Sequence, residues 1–139
     1  MISSCDMVTE LREVDSRFER AFADFLTEWD DDPDTAPEGL PYYLYYADIA
    51  RIIAHDIRTG NRERLAPIMD LVEKLHVEGD EAVREAVTIG LLEAIQESML
   101  HTNTGLHIAD EYLRPESARW WKKLIHFWDH KQPDALREV

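Results

Sequence analysis

His55 and Asp56 form a pair of residues that a metal-dependent enzyme could use. The same dipeptide occurs in metal-dependent phosphohydrolases, where both side chains bind a metal ion that activates water. Such a site also needs a histidine earlier in the chain, and His55 is the first histidine in this sequence. We therefore expect the pair to lie on the surface near the C-terminus of a helix, where a histidine is electrostatically favoured.

Two further histidine patterns have metal-ligand spacing. Glu73 and His76 have the Glu-x-x-His spacing that di-iron bundles place on two of their four helices, but a second copy is missing. His126 and His130 lie one turn apart, and no nearby carboxylate helix completes them. We therefore expect no metal site and no cofactor.

The sequence also lacks the motifs of nucleophilic and phosphate chemistry. There is no G-x-S-x-G motif and no glycine-rich phosphate loop, and five glycines could hardly build one. Cys5 is the only cysteine, so an internal disulfide and a zinc site built from several cysteines are excluded by count. A binding protein is therefore expected in place of an enzyme, and a reducing cytoplasm is the expected compartment.

Acidic and aromatic residues share one region of the chain. The acids can steer association with a basic partner, and tyrosines can provide desolvated anchors. Alternatively, the tyrosines are core residues with their hydroxyl groups at the rim, and the acids form a solvated loop. The predicted partner-binding residues are Asp30, Asp31, Asp32, Asp34, Glu38, Tyr42, Tyr43 and Tyr46.

The charge of the chain is strongly acidic and unevenly distributed. The formal net charge is −14, from 29 acidic and 15 basic residues. Residues 1–40 carry 12 acidic and 3 basic residues, whereas residues 111–139 carry 5 acidic and 6 basic residues. A field of this sign repels phosphate backbones and anionic membranes, so direct binding to nucleic acid or to a membrane is not expected.

A helical hairpin over residues 65–100 is the predicted centre of the fold. Apolar residues recur at three- and four-residue steps on both sides of a turn at residues 77–81. Gly79 is expected to end the first helix in a left-handed conformation, and Asp80 to cap the second. The second helix is apolar around much of its circumference, so we expect Gly90 to let another helix approach closely.

Similar periodicity predicts the other helices. Trp120 and Trp121 are about 100° apart around the last helix, so one of them is expected to stay near the surface. Pro67 lies inside one helical pattern, so that helix is expected to start near Pro67 or to bend there. The remaining predicted segments are Val8–Trp29, Tyr42–Thr59, Leu106–Leu113 and a last helix after Pro115.

These elements predict an all-α fold, either an irregular helical bundle or a short stack of antiparallel helix pairs resembling an α-solenoid. A chain of 139 residues fits a single domain, with residues 1–7 and 131–139 as frayed tails. No run of 18 or more apolar residues is present, so no membrane span is expected.

Several short motifs resemble a family of small bacterial proteins known as immunity-like proteins of polymorphic toxin and contact-dependent inhibition loci. The resemblance covers roughly residues 42–128. The motifs are Tyr45-Tyr46-Ala47-Asp48-Ile49-Ala50-Arg51, His76-Val77-Glu78-Gly79-Asp80-Glu81-Ala82-Val83, Val87-Thr88-Ile89-Gly90-Leu91-Leu92-Glu93, Tyr112-Leu113-x-Pro115-x-Ser117, Trp121 and Phe127-Trp128.

The resemblance implies a helical cytoplasmic antidote that binds a cognate toxin domain and occludes its active site. It brings no catalytic residues. Many toxin domains attack nucleic acids and are basic, so an acidic inhibitor would be complementary to them. Two other functions remain open, an acidic helical adaptor in a regulatory assembly and, third, a metal-dependent hydrolase. The oligomeric state is not predicted.

Overall fold

The computed structural model describes residues 1–29 and 40–138, and the side chains as far as residue 127. The fold is all-α, which confirms the predicted class. Within the described residues the only extended pairing is a single parallel bridge between Ile2 and Gly79. No described helix is long and apolar enough to cross a membrane. In chain order, the helices are α1 (Ser4–Val14), α2 (Ser16–Trp29), α3 (Tyr42–Thr59), α4 (Arg62–Glu78), α5 (Glu81–Glu85), a π-helical segment (Ala86–Glu93), α6 (Ala94–His101), a 3-10 helix (Leu106–Glu111) and α7 (Pro115–Glu138).

The predicted helix Val8–Trp29 is in fact two helices that meet at Asp15. Asp15 is extended, with φ −152° and ψ 134°, and ends α1. Its carboxylate accepts a hydrogen bond from the backbone N–H of Arg17 at 2.8 Å, and its carbonyl accepts one from Phe18 at 3.0 Å. Asp15 therefore caps the N-terminus of α2, which apolar periodicity alone could not reveal.

The first residues are ordered, so the predicted frayed tail over residues 1–7 is wrong. The backbone of Ile2 donates to the carbonyl of Glu78 and accepts from Asp80, both at 2.9 Å. Ser3 forms a capping box with Asp6 at the start of α1, and Met7 is fully buried. These hydrogen bonds and the burial of Met7 hold the chain start against the turn between α4 and α5.

The predicted bounds of α3 are confirmed, and the turn between α4 and α5 shows one correction. Gly60 ends α3 in a left-handed conformation with φ 73°. Gly79 ends α4 with φ −71°, which is not left-handed. A glycine is needed at this position because there is no room for a side chain. A Cβ atom on residue 79 would come within 2.4 Å of the Leu75 carbonyl and the Val83 side chain. Asp80 caps α5 as predicted, accepting from the Val83 N–H at 2.9 Å.

The predicted second helix of the hairpin runs from α5 through the π-helical segment into α6. A π-helix has i→i+5 hydrogen bonds and is often found at functional sites. The α-helical pattern of the sequence did not predict it. Against this continuous helix packs α3, whose buried residues Ile49 and Ile53 lie in the core. The hairpin helix is therefore central, as predicted.

The last helix, α7, is longer than predicted. Residues 131–138, predicted to fray, continue α7 as helix. Of the tryptophan pair, Trp121 is buried and Trp120 is half-buried, which confirms that one stays near the surface. In α4, Pro67 lies inside a helix that begins earlier, at Arg62, so of the two predicted alternatives the start near Pro67 is wrong and the bend stays a prediction.

Candidate partner-binding site

A groove of about 640 Å³ lies between the start of α1, the start of α3 and the junction of α5 with the π-helical segment. Ligand pockets usually have volumes in this range and a mostly apolar lining. Ser4, Cys5 and Glu85 add polar groups. The apolar lining consists of Val8, Leu40, Pro41, Tyr42, Tyr43, Tyr46, Ala82 and Ala86. We call this feature the tyrosine groove.

The three predicted tyrosines all line the tyrosine groove, but they differ in exposure. The exposed fraction of Tyr43 is 48%, and Tyr42 is half-buried. Tyr46 is only 3% exposed, so it is a buried residue of the groove, and its contact with a partner stays a prediction. Its ring packs edge-on against Tyr43, with 5.6 Å between the ring centroids, and forms part of the groove floor. Tyr43 is therefore the main aromatic side chain available to a partner.

Gly90 lets these rings pack onto the π-helical segment. A Cβ atom at Gly90 would lie 3.1 Å from Cδ2 of Tyr46 and 3.2 Å from Cε1 of Tyr43. Burial, and then the nearby Glu85, raise the pKa of Tyr43, so its hydroxyl stays protonated and neutral at physiological pH. Because Gly90 has no side chain, the rings of Tyr43 and Tyr46 can pack against the π-helical segment. This confirms the predicted close approach of another helix at Gly90.

The predicted acidic partner-binding residues are not among the residues that the structure describes. Asp30, Asp31, Asp32, Asp34 and Glu38 lie outside the described residues. Leu40 and Pro41, which line the groove, follow them in the chain.

His55 and Asp56 lie in two different environments. The carboxylate of Asp56 is 1% exposed and accepts from Arg17 at 2.9 and 2.6 Å. His55 is exposed, with its Nδ1 3.0 Å from the Arg58 guanidinium. The prediction that both residues lie on the surface is therefore wrong for Asp56, whose carboxylate is engaged in a buried ion pair.

Arg17 joins two buried carboxylates in a network that the sequence did not predict. Besides Asp56, its guanidinium binds Asp15 with two contacts of 3.0 Å, and Arg64 reaches Asp15 at 3.2 Å. The Asp56 and Asp15 hydrogen bonds raise the pKa of Arg17 above its ordinary value. Burial acts to raise the pKa of Asp15, but the hydrogen bonds from Arg17 outweigh it and lower that pKa. The network ties α2 to α3.

Glu73 acts as a cap instead of a metal ligand. Its carboxylate accepts from the backbone N–H groups of Glu116 and Ser117 and from the Ser117 hydroxyl, each at 2.9 Å. Burial would raise the pKa of Glu73, but these hydrogen bonds lower it. A carboxylate on α4 therefore satisfies free amides at the start of α7.

His76, the other residue of the Glu-x-x-His spacing, is buried without a hydrogen-bond partner among the described residues. Its exposed fraction is 4%, and neither ring nitrogen has a partner among the described residues. Burial lowers the pKa of His76 below 6.5, although Glu73 and Glu116 act in the opposite direction. The neutral imidazole is therefore the form that the folded chain favours.

This burial predicts a loss of stability in mild acid. Because the folded pKa of His76 is lowered, the unfolded chain binds the extra proton first, and the free energy of unfolding falls as the pH drops below about 6.5. The variant His76→Leu should flatten the pH dependence of urea unfolding between about pH 5 and pH 7. The control His101→Gln changes an exposed histidine and should leave that dependence intact. An equal pH dependence in the parent and His76→Leu would contradict the prediction.

Among the described residues, no group of three or more His, Cys, Asp or Glu side chains is arranged to hold a metal. The side chain of His130 lies outside the described part of the chain.

The described structure is an all-α scaffold with the tyrosine groove at one end of α3. The chain belongs to the family described as a domain of unknown function, DUF7674, whose sequence profile matches residues 16–129. No curated protein and no solved structure matches the chain.

Proposed function

We propose that the chain is an immunity protein that binds a cognate toxin domain in the cytoplasm and neutralises it by covering the toxin's active site. The observation that carries the proposal is the tyrosine groove on a chain with a formal net charge of −14. Aromatic anchors in well-packed pockets dominate binding energy at interfaces, and opposite charge accelerates encounter. The motif resemblance to immunity-like proteins supports the same function.

The occupant of the tyrosine groove is an apolar side chain of the toxin, flanked by basic residues. Tyr43 is 48% exposed and lines the groove, so its ring presents apolar area to such a side chain. Glu85 at the groove provides a carboxylate for a flanking cation. A basic surface is expected on a toxin domain that acts on nucleic acid, because such a surface binds phosphates. An acidic chain that covers this surface excludes the substrate.

The first test removes the aromatic anchor. If a toxin domain is encoded beside this gene, as the proposal requires, Tyr43→Ala should weaken binding to it by about 2 kcal/mol, mainly through faster dissociation, as expected for a hot spot. Surface-binding kinetics measure the two rates. Phe127→Ala is the matched control, because Phe127 is 47% exposed on α7, away from the groove lining. If Phe127→Ala speeds dissociation and Tyr43→Ala does not, the interface lies on α7.

The second test removes the acidic steering. Replacing Asp30, Asp31, Asp32 and Asp34 together with Asn should slow association by about tenfold or more at low salt and flatten its salt dependence. Dissociation should change little, because rim charges act mainly on encounter. Unaltered association kinetics would remove this segment from the interface.

Toxin neutralisation separates the proposal from the adaptor function. Cells that express the neighbouring toxin domain should survive with the parent chain and lose viability with Tyr43→Ala at an equal protein level. A partner that is bound with no rescue of viability would instead favour the acidic adaptor.

A further inference from the structure

The outward face of α7 carries a group of cations on an otherwise acidic molecule. Arg119, Lys122 and Lys123 are exposed and spaced three and four residues apart, so they lie on one face of the helix. Trp120 and Phe127 are seven residues apart, on the stripe beside these cations. Phe127 is 47% exposed, and Trp120 is half-buried. We call these five residues the α7 face.

Two lysines on the α7 face have no ion-pair partner among the described carboxylates. Acids outnumber bases 29 to 15, so a basic side chain has many carboxylates to pair with. Lys122 and Lys123 form no ion pair with a described carboxylate, and Arg20, Arg58 and Arg84 share this property. By contrast, the arginines and lysine that do pair with a described carboxylate are Arg12, Arg17, Arg51, Arg62, Arg64, Lys74, Arg114 and Arg119.

Two of these cations lie over the ring of Trp120. The Lys123 ammonium lies 4.4 Å from the ring centroid, and the Arg119 guanidinium lies 5.5 Å from it. The indole N–H donates to the Glu116 carboxylate at 3.2 Å. A cation over an aromatic face is attracted to the ring, so the surface is partly organised before a partner arrives.

We propose that the α7 face is a second docking surface, for an acidic amphipathic segment of another protein. Carboxylates of the segment pair with Lys122 and Lys123, because Arg119 is already paired with Glu116 at 2.7 Å, and an apolar side chain covers Trp120 and Phe127. The face shares no residue with the tyrosine groove, whose expected partner has the opposite charge. The two surfaces can therefore be occupied by different partners.

The charges favour an acidic protein segment over nucleic acid. A nucleic acid extends well beyond the α7 face and meets the field of a chain with net charge −14. A short peptide contacts only the local cations, because charges more than about 8–10 Å away are largely screened at physiological salt. The two lysines without an ion pair to a described carboxylate suit a few carboxylates, whereas strong backbone binding to DNA uses about 6–10 phosphate contacts.

The test is an NMR titration with a short peptide of alternating Glu and Leu residues. We expect the indole N–H signal of Trp120 to shift on titration, with an affinity that falls as salt increases. The variant Lys122→Gln/Lys123→Gln should weaken binding by about tenfold or more, which corresponds to about 1.4 kcal/mol or more. The matched control Arg20→Gln/Arg84→Gln also removes two exposed unpaired charges and should bind like the parent.

Three outcomes would overturn the proposal. The first is no shift at Trp120 with the Glu-Leu peptide, or the same shift with a peptide in which Gln replaces every Glu. The second is equal loss of affinity in the two double variants, which would mean that only net charge matters. The third is tighter binding of single-stranded oligothymidylate than of the peptide, which would assign the α7 face to nucleic acid.

Discussion

Replacing Arg17 with alanine is expected to lower the free energy of unfolding by about 3–5 kcal/mol. The reason is the position of its partners: Asp56 is 1% exposed and Asp15 is 7% exposed, and this guanidinium binds both, although Asp15 also keeps Arg64. Without it, Asp56 loses the ion pair that the structure gives it, and a buried charge without a partner is costly. Urea unfolding followed by circular dichroism measures the change.

Arg51→Ala is the matched control for this prediction. Arg51 pairs with Asp48 on the surface of α3, where the side chains are 62% and 41% exposed. Such pairs contribute about 0–1 kcal/mol, so the control should be nearly neutral. A second variant, Arg17→Met/Asp56→Leu, removes the cation and one buried carboxylate together and should recover part of the loss. Equal stability of Arg17→Ala and Arg51→Ala would show that the network is not needed for the fold.

Gly90→Leu is expected to lower the free energy of unfolding by about 1–3 kcal/mol and to close the tyrosine groove. A Cβ atom there already comes within 3.1–3.3 Å of the rings of Tyr46 and Tyr43, so a larger side chain must displace them. Gly90→Ala should be nearly neutral, because a helix gain of about 0.5–1 kcal/mol offsets the crowding. Thermal unfolding and toxin binding are the two measurements.

The control for Gly90→Leu introduces the same residue one position earlier. Ile89 is 45% exposed in the same π-helical segment, so Ile89→Leu should change stability by no more than about 0.5 kcal/mol. An unchanged melting temperature for Gly90→Leu would contradict the central position of this helix.

The parts of the fold that the sequence predicted depend on local rules. The bounds of α3 follow from its apolar period and from Gly60, and the cap at Asp80 follows from its place after a glycine. The break at Asp15 was missed because the apolar spacing continues across it and because its guanidinium partner, Arg17, also reaches Asp56, 39 residues further along the chain. Such a pairing is decided by tertiary structure.

The same distinction applies to the candidate site. Four tyrosines on one helix cannot all face inward, and the structure buries Tyr45 and Tyr46 while Tyr43 remains exposed. Which one is exposed depends on the helix opposite, where the π-helical segment and Gly90 receive the rings. The α-helical period did not predict that segment. The groove therefore could not be assembled from the spacing of the tyrosines alone.

The carboxylate of Glu73 at the start of α7 also has a consequence for biosynthesis. Domains form as the chain leaves the ribosome, so α4 is exposed for the time needed to synthesise the 43 residues that separate Glu73 from Glu116. During that interval the carboxylate is hydrated, and the core lacks Trp121, which is 1% exposed in the finished fold. A nascent chain that stalls before residue 115 therefore presents an open apolar site to chaperones and proteases.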